Sequence, residues 1–346
     1  MARSLIAFAA AVSIGLSLGA SAAEMTDHEK QLYEAAKENG EQVTWYVAHF
    51  NSETAEAVGK AFEEKYPGVS VNVVRTTAQV AYQRLMQDLQ AGVSQCDVFS
   101  STDVGHYVAL KEEGQLMEYR PENAEKIYDA YKDIDPDNTY HVTSAGLVLI
   151  TYNTKEVSEE EAPKNWTDLL DPKWKDKVSV GHPSYSGYVG TWVVAMRKLY
   201  GWDFFEKLEE NNPQIGRSIN DTVTMLNSGE RTVAAGPAAT TLRSAARGNP
   251  IAVIYPTDGT LLMIAPSGIP KVSENPNAAK LYMEFLMSPE AAQVQVENFS
   301  ESVRPEVPPA PGGRPLSEVE TIRPTIEEIS EGIPEVKELW RDTFGV

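Results

Sequence analysis

The sequence predicts an α/β protein of two lobes, each built on a doubly wound sheet, with a cleft where the lobes meet. Strand and helix patterns alternate along the chain with short connections, which is typical of parallel sheets covered by helices on both faces. The chain has 346 residues, more than one hydrophobic core usually serves. We expect the functional site in the cleft, because such sheets bind ligands beyond the carboxyl ends of their strands.

The first residues have the pattern of an export signal. Arg3 precedes an apolar stretch at residues 5–18, and the small residues Ala20-Ser21-Ala22 follow it. This pattern predicts a cleaved secretory signal peptide over residues 1–23, because the apolar stretch is too short to anchor the chain in a bilayer. No cysteine stands at the cleavage site, so we expect no lipid anchor and a mature protein in the periplasm.

Charge and cysteine content narrow the possible partners. The chain carries 30 basic and 50 acidic residues, a formal net charge of −20. This disfavours nucleic acid and anionic membranes as partners, because both require clustered Lys and Arg. A small ligand of either charge remains compatible with this composition, because the charge of one binding site can oppose the net charge of the chain. Cys96 is the only cysteine, and the apolar residues beside it predict a buried thiol.

The first lobe begins with a strand at residues 42–48 and a helix at 53–66. We expect Ser52 to cap this helix and Pro67-Gly68 to end it. The elements that follow are a strand at 69–74, a helix at 81–89 and a strand at 97–100 that leads into another helix.

The second lobe repeats the alternation after a polar interval at 120–140. Its predicted elements are strands at 146–152, 178–180, 232–235 and 251–255, and helices at 165–170, 187–200, 203–210 and 221–226. Two further helices start at 275 and 288, residues 305–315 read as a crossing loop, and the last thirty residues read as helical. We assign residues 24–146 plus 263–308 to lobe 1 and residues 147–262 plus 309–346 to lobe 2.

The loops that follow the predicted strands supply the candidate ligand-binding residues. At the start of the 187–200 helix, free amides, serine hydroxyls and the positive helix end form a ready site for an anion. The alternative is that Ser186 only caps this helix, and Asn220 allows the same two interpretations at the next helix. The full set of candidates is His49, Asn51, Ser101, Thr102, Ser184, Tyr185, Ser186, Gly187, Tyr188, Asn220, Thr240 and Asp258.

Three charged residues each allow a functional and a structural interpretation. Asp258, in the sequence Thr257-Asp258-Gly259, would either pair with an amine of the ligand or hold a turn. Arg217 and Arg243 would either make two-pronged contacts with an anion or face solvent.

Several short sequence segments, in this order, resemble those of one family of transport receptors. They stand at residues 43–46, 61–69, 97–99, 166–169, 172–175, 186–187, 275–280, 285–291 and 303–305. With them the chain resembles the ferric-iron-type branch of the periplasmic substrate-binding proteins of ABC importers. The resemblance implies a type II-like periplasmic-binding fold: two lobes joined by crossing strands that close on a ligand. It also implies a monomer that docks on a membrane permease driven by a cytoplasmic ATPase.

The sequence departs from the iron-binding members of that branch. Those members hold Fe³⁺ with adjacent tyrosines, whereas the matching region here, Gly236–Thr241, contains none. Thr102 stands where a glutamate would assist the metal. We therefore expect neither a bound metal nor a cofactor, and the small side chains leave room for an organic ligand.

These observations favour a non-catalytic receptor that captures a small organic anion bearing phosphate, phosphonate or carboxylate. Three alternatives stay open: a ferric-iron receptor, a receptor for a cation of the polyamine or thiamine type, and a secreted hydrolase on the same scaffold. The sequence lacks the G-x-S-x-G, H-E-x-x-H and P-loop motifs, which makes the hydrolase the weakest of them.

Overall fold

A computed structural model describes residues 25–93 and 95–346, so the predicted signal peptide lies outside the described residues. The α-helices are α1 Asp27–Glu38, α2 Ser52–Lys65, α3 Ala78–Ala91, α4 Gly105–Glu112, α5 Gly187–Tyr200, α6 Asp203–Glu210, α7 Asp221–Ser228, α8 Ala238–Ala246, α9 Pro276–Leu286, α10 Pro289–Glu297 and α11 Ile326–Phe344. The strands are β1 Val43–Val47, β2 Val71–Arg75, β3 Val98–Ser100, β4 Tyr140–Asn153, β5 Val178–Val180, β6 Gln214–Ile215, β7 Val233–Pro237, β8 Ile251–Ile254, β9 Thr260–Gly268 and β10 Thr321–Ile322. Short 3-10 helices lie between them, among them Trp166–Leu170.

One sheet runs through both lobes in the strand order β2-β1-β3-β9-β4-β7-β5-β6. In the first lobe β1 lies parallel between β2 and β3. In the second lobe β5 lies parallel between β6 and β7. The long strands β4 and β9 connect these halves, paired antiparallel from Tyr140↔Gly268 to Val148↔Leu261. The alternation of strands and helices predicted parallel pairing within each lobe, which is observed; at the crossing, β4 and β9 instead pair antiparallel with each other and with β7 and β3.

The sheet of the first lobe is buried on both faces. Successive residues of a strand point to opposite faces, and Trp45 and Tyr46 of β1 belong to two different hydrophobic clusters. Trp45 packs with Phe62 of α2 and Tyr282 of α9. In the second lobe a larger cluster gathers around Trp192 of α5. Helices therefore cover both faces of the sheet, and the predicted two-lobed α/β fold is confirmed.

Most predicted elements lie within a few residues of their observed positions, with three informative differences. Asn51, rather than Ser52, caps α2, because its side-chain oxygen accepts a hydrogen bond from the Thr54 amide at 2.9 Å. Strand β4 begins at Tyr140 instead of Gly146. Helices α1 and α8 and strands β6, β9 and β10 were not predicted at all. Cys96 is buried as expected, and burial raises the pKa of its thiol. Within the described ranges, no helix has the length and apolar character that crossing a membrane requires.

Candidate ligand-binding cavity

A cavity lies between the lobes at the carboxyl ends of the strands. The residues that line it are Ala48, His49, Phe50, Asn51, Thr54, Arg75, Thr77, Ala78, Thr102, Ala145, Gly146, Leu147, Val148, Ser186, Tyr188, Ser218, Ile219, Asn220, Pro237, Ala239, Thr240, Arg243 and Ser300. Both lobes and the crossing strand β4 contribute to this wall. The lining includes two arginines but neither aspartate nor glutamate, in a chain with 50 acidic residues.

Five α-helices begin at this cavity. Their N-cap residues are Asn51 of α2, Thr77 of α3, Ser186 of α5, Asn220 of α7 and Pro237 of α8. All five caps line the cavity. Each helix N-terminus presents unpaired amides and a partial positive charge. Their convergence gives the cavity a positive potential and a set of hydrogen-bond donors for an anion.

The N-cap side chains differ in whether they accept a hydrogen bond from an amide of their own helix. Asn51 caps α2, and the Ser186 hydroxyl accepts from the Val189 amide at 3.5 Å. The structural interpretation of Ser186 as a cap therefore holds, but Ser186 also lines the cavity. Thr77, Asn220 and Pro237 make no side-chain capping bond. The Thr77 hydroxyl is buried and has no partner among the described residues. The starts of α3 and α8 thus remain available to an outside acceptor, whereas at the start of α7 the amides of Asn220, Asp221 and Val223 already have partners.

Arg75, the last residue of β2, places a positive charge in the wall of the cavity. Its Nε donates to the Phe50 carbonyl at 2.8 Å, and its guanidinium forms no ion pair with any described residue. Burial lowers the pKa of this guanidinium, and the nearby charge of Asp221 opposes the shift. A guanidinium nevertheless stays protonated in a protein. An unpaired, partly buried cation of this kind is suited to binding an anionic ligand in a two-pronged geometry.

His49 lies beside Arg75 with its imidazole fully enclosed. Neither ring nitrogen has a hydrogen-bond partner among the described residues. Burial first, and the charge of Arg75 second, lower the pKa of His49 to about 3. The ring is therefore neutral near pH 7 and offers the cavity one donor and one acceptor.

Arg243 of α8 reaches from the second lobe to the first. Its guanidinium donates to the Thr54 hydroxyl at 2.6 Å and also to the Asn298 carbonyl. It lies 3.5 Å from a carboxylate oxygen of Glu53 on α2. We call the contacts of Arg243 with Glu53, Thr54 and Asn298 the interlobe latch. Of the two interpretations of Arg243, the solvent-facing one is wrong, because this residue is only 6% exposed.

Gly187 brings the start of α5 against the first lobe. A Cβ atom at this position would lie 2.5 Å from the carbonyl carbon of Thr102 and 2.6 Å from the amide nitrogen of Asp103. Both are backbone atoms that cannot move aside easily. Gly187 therefore permits a close approach of the lobes rather than contacting the cavity itself.

The structure brings seven of the twelve predicted residues to the cavity: His49, Asn51, Thr102, Ser186, Tyr188, Asn220 and Thr240. It places the other five elsewhere. Gly187 packs against Thr102, as described above. The Ser184 amide donates to the ring of His182 at 3.0 Å. Tyr185 is 39% exposed and lies under the guanidinium of Arg217, 5.0 Å from its ring centre.

Asp258 serves the second lobe rather than the cavity. Its carboxylate accepts from the Trp166 amide at 2.9 Å and from the Tyr200 hydroxyl at 2.6 Å. The turn interpretation of Asp258 agrees with this position, whereas a direct contact with a ligand amine does not.

Ser101 belongs to a buried hydrogen-bonded group that resembles a nucleophilic triad in composition. Its hydroxyl lies 2.9 Å from Nδ1 of His106, and Nε2 of His106 lies 3.4 Å from the Asp103 carboxylate. The serine hydroxyl also accepts from the Asp103 amide. Ser101 is completely buried and lies outside the lining of the cavity. This geometry fixes the start of α4 but gives a substrate no access to the serine.

Five polar residues of the wall were not considered in the sequence: Thr54, Arg75, Thr77, Ser218 and Ser300. Arg75 and Thr77 follow the strand predicted at 69–74, so the rule that selected the other loops would have found them had it been applied to the end of that strand. Ser218 precedes a helix cap and was within reach of the same rule. Ser300 follows α10 in the first lobe, and no local pattern marks it.

Comparison with known proteins identifies the family. Residues 95–318 match the family described as bacterial extracellular solute-binding protein. The chain belongs to this family. It is an extracellular solute-binding protein. This solute-binding protein is 25% identical over 279 residues to a putative 2-aminoethylphosphonate-binding periplasmic protein of Salmonella typhimurium, covering 77% of this chain and 76% of the relative. It is 23% identical over 248 residues to an uncharacterised protein of Haemophilus influenzae, covering 69% and 71% of the two chains.

Solved structures of periplasmic binding proteins share the fold of this solute-binding protein. AfuA of Actinobacillus pleuropneumoniae, solved with fructose-6-phosphate, superposes with a TM-score of 0.81 at 22% identity over 88% of this chain and 99% of that one. Iron-bound HitA of Pseudomonas aeruginosa superposes with a TM-score of 0.75 at 20% identity over 87% and 99%. At these identities the likeness establishes the two-lobed fold alone. The resemblance to solute-binding receptors noted in the sequence is confirmed, and an iron-binding protein is among the structures that share the fold.

Proposed function

We propose that this protein is a periplasmic importer receptor for a small organic anion that bears a phosphate or phosphonate group, and that it is not an enzyme. The lobes close on this ligand and present it to a membrane permease. In this proposal the protein acts as a monomer, and the lobes comprise residues 24–146 plus 263–308 and residues 147–262 plus 309–346. The pairing of Gly146 with Met263 in the crossing strands lies at that boundary, which supports the division.

The convergence of five helix N-termini on one cavity carries the proposal. A tetrahedral phosphorus oxyanion has three terminal oxygens and up to two negative charges, so it uses many donors at once. Arg75 and the open starts of α3 and α8 supply such donors from both lobes. A carboxylate would use fewer of them. A polyamine would face two arginines and no carboxylate in the lining.

The relatives support the same class of ligand. The Salmonella typhimurium relative is named for 2-aminoethylphosphonate, and AfuA was solved with a sugar phosphate. The cavity does not favour ferric iron, because Tyr188 is the one tyrosine among its lining residues. In the described part of the chain, no group of three or more His, Cys, Asp and Glu residues is arranged to hold a metal ion.

Calorimetric titration of ligand-free protein tests this function. The protein is unfolded, washed and refolded, and then titrated with inorganic phosphate, ethylphosphonate, 2-aminoethylphosphonate, fructose-6-phosphate, propionate and spermidine. We expect at least one organic phosphorus compound to bind more tightly than propionate, and spermidine not to bind. The bound compound should be recovered chemically unchanged. Binding of spermidine without any phosphorus oxyanion, or recovery of an altered compound, would contradict the proposal.

Arg75→Met tests the anion site directly, with Arg217→Met as the matched control. Removing the unpaired guanidinium should weaken binding of the phosphorus compound by about 1.5–3 kcal/mol, which is roughly tenfold to a hundredfold. Arg217 lies over Tyr185 outside the cavity, so its removal should leave affinity unchanged. Equal losses in the two variants would assign the effect to net charge rather than to the site.

A further inference from the structure

Three fully buried side-chain atoms in the wall of the cavity have no hydrogen-bond partner among the described residues. They are the two ring nitrogens of His49 and the hydroxyl oxygen of Thr77. The Thr77 hydroxyl stands at the start of α3, where an anion would accept its hydrogen bond. An anion accounts for only half of His49, because a neutral imidazole has one donor and one acceptor. Since an unpaired buried acceptor costs free energy, the ring requires a partner that the described protein does not supply.

Aromatic packing holds the ring of His49 in place. The ring of Phe50 packs edge-on against it with 4.2 Å between ring centres, and the ring of Trp45 does so at 6.2 Å. The indole nitrogen of Trp45 donates to the Ser100 hydroxyl at 2.7 Å rather than to His49. His49 itself is 8% exposed. These neighbours fix the ring without using its nitrogens, so a partner reaches them from the cavity that His49 lines.

Arg75 lies close enough to His49 for one small ligand to contact both. The Nε atom of Arg75 donates to the carbonyl of Phe50, which is the residue after His49, at 2.8 Å. The side chains of Arg75 and His49 line the same cavity. A ligand whose anion binds Arg75 therefore places the atoms next to that anion beside the imidazole.

Three kinds of ligand group can donate to the acceptor nitrogen of His49: an ammonium group, a protonated phosphoryl oxygen and a hydroxyl. An ammonium group would lie beside Arg75 in a wall without aspartate or glutamate, where like charges repel. Arg75 and the helix N-termini favour the fully ionised phosphoryl group, which has no proton to donate. A hydroxyl is uncharged, and it can donate to one imidazole while accepting from another group of the wall.

We propose that His49 accepts a hydrogen bond from a hydroxyl group of the ligand, so that the solute is a hydroxyalkyl phosphonate or a polyol phosphate. This inference rests on the proposed function, because it requires the phosphorus oxyanion of the same molecule to bind near Arg75. Burial and the charge of Arg75 lower the pKa of His49 to about 3, which keeps the acceptor nitrogen unprotonated near pH 7. His49 is then a specificity-determining residue, because a site built to bond a hydroxyl rejects the analogue that lacks it.

Two pairs of compounds that differ in their hydroxyl groups test this inference by calorimetry on the full-length mature protein. The first pair is 2-hydroxyethylphosphonate and ethylphosphonate, and the second is glycerol 3-phosphate and propyl phosphate. In at least one pair we expect the hydroxylated compound to bind about tenfold or more tightly than its partner. We also expect 2-aminoethylphosphonate to bind less tightly than 2-hydroxyethylphosphonate.

Variants of His49 show whether its ring causes the preference for the hydroxylated compound. In His49→Leu, whose new side chain has no polar atom, the ratio of the two affinities should fall to about twofold or less. His49→Gln keeps a donor and an acceptor and should retain more of the preference than His49→Leu. His28→Leu is the control and should retain all of it, because His28 lies on α1, outside the cavity lining, and bonds with Tyr119.

The outcomes distinguish this inference from the proposed function. If phosphorus compounds bind but neither hydroxylated compound is preferred, or if the amino compound binds most tightly, the hydroxyl site is wrong and the anion site stands. A preference of equal size in His49→Leu and the unchanged protein would also overturn the role of His49. If no phosphorus compound binds, both proposals fail. The comparison of ligands on the unchanged protein decides the class of solute even if a variant does not fold.

Discussion

The guanidinium of Arg243 donates a hydrogen bond to the hydroxyl of Thr54 at 2.6 Å and thereby joins helix α8 of one lobe to helix α2 of the other. The contact is buried, and both residues line the cavity. Nearby, Arg247 pairs with Glu53 at 2.6 Å, but both of these side chains are more than half exposed. The two contacts connect the same helices but differ in burial. We therefore expect them to contribute different amounts to the free energy of ligand binding.

Replacing Arg243 with alanine should weaken ligand binding strongly. Removing one member of a buried, hydrogen-bonded charge contact costs about 2–5 kcal/mol, because the partners are left without a donor in the closed state. Arg247→Ala is the matched control and should cost less than about 1 kcal/mol, since exposed ion pairs contribute little. Calorimetry with the phosphorus compound that binds most tightly in the titration measures both. Equal effects of the two variants would contradict the ranking by burial.

Gly187→Ala should obstruct closure of the lobes without unfolding the protein. The added methyl group would meet backbone atoms of Thr102 and Asp103 at 2.5–2.6 Å, and overpacking of this kind costs about 1–3 kcal/mol. In the open form the two lobes separate and the clash disappears. We therefore expect affinity to fall about tenfold or more, with little change in the melting temperature of the ligand-free protein.

Gly190→Ala on the same helix provides the comparison. Its methyl group would meet the Ile333 side chain at 3.0 Å within the second lobe, so it should change stability and spare affinity. Small-angle scattering with saturating ligand should show a compact form for this variant but an extended form for Gly187→Ala. A Gly187→Ala protein that closes and binds normally would refute the steric argument.

His49 should make the folded protein less stable as the pH falls. Its pKa is lowered to about 3 in the folded state, by burial first and by Arg75 second, whereas it is about 6.5 in an unfolded chain. Between these values the unfolded state binds a proton that the folded state does not, so stability decreases on acidification. From pH 7 to pH 5 the ligand-free protein should lose about 2 kcal/mol more than the His49→Gln variant.

Urea unfolding at the two pH values measures this difference. Comparison with the variant cancels the contributions of the other titrating groups to the pH dependence of stability, because these groups are common to both proteins. Parallel losses in the two proteins would mean that His49 takes up its proton while folded.

Asp258→Ala should lower stability and leave binding unchanged. The carboxylate receives the Trp166 amide and the Tyr200 hydroxyl, and unpaired buried donors cost about 1–3 kcal/mol. Thermal unfolding and calorimetry with 2-aminoethylphosphonate check the two parts. A loss of affinity confined to amine-bearing ligands would restore the role in ligand binding predicted from the sequence.

Local sequence patterns were sufficient to predict a helix or strand whose first and last residues are determined by its own sequence. The bounds of α5 and of β5 were predicted to the residue, because a serine cap and a short β-branched run mark them. The rule that ligands bind beyond strand ends placed His49, Thr102 and Asn220 at one cavity. These successes share a physical basis, since caps and strand ends are local features of the chain.

Features that depend on the opposite lobe could not be predicted. Arg243 appears as an ordinary solvent-facing arginine until Thr54 and Asn298 are placed against it. The role of Gly187 likewise depends on the backbone of Thr102, 85 residues earlier in the chain. Strand β9 was missed because the strands on either side of it, β3 and β4, lie more than a hundred residues earlier in the chain.

The antiparallel pairing of β4 with β9 shifts register between Val142 and Ser144, just before the residues of β4 that line the cavity. A break in register increases local twist and bends a strand pair. Flexing at this point would tilt the second half of the sheet and carry Ala145, Gly146, Leu147 and Val148 with it. The angle between the lobes and the shape of the binding wall would then change together. A permease that responds to that angle would therefore also respond to whether a ligand is bound.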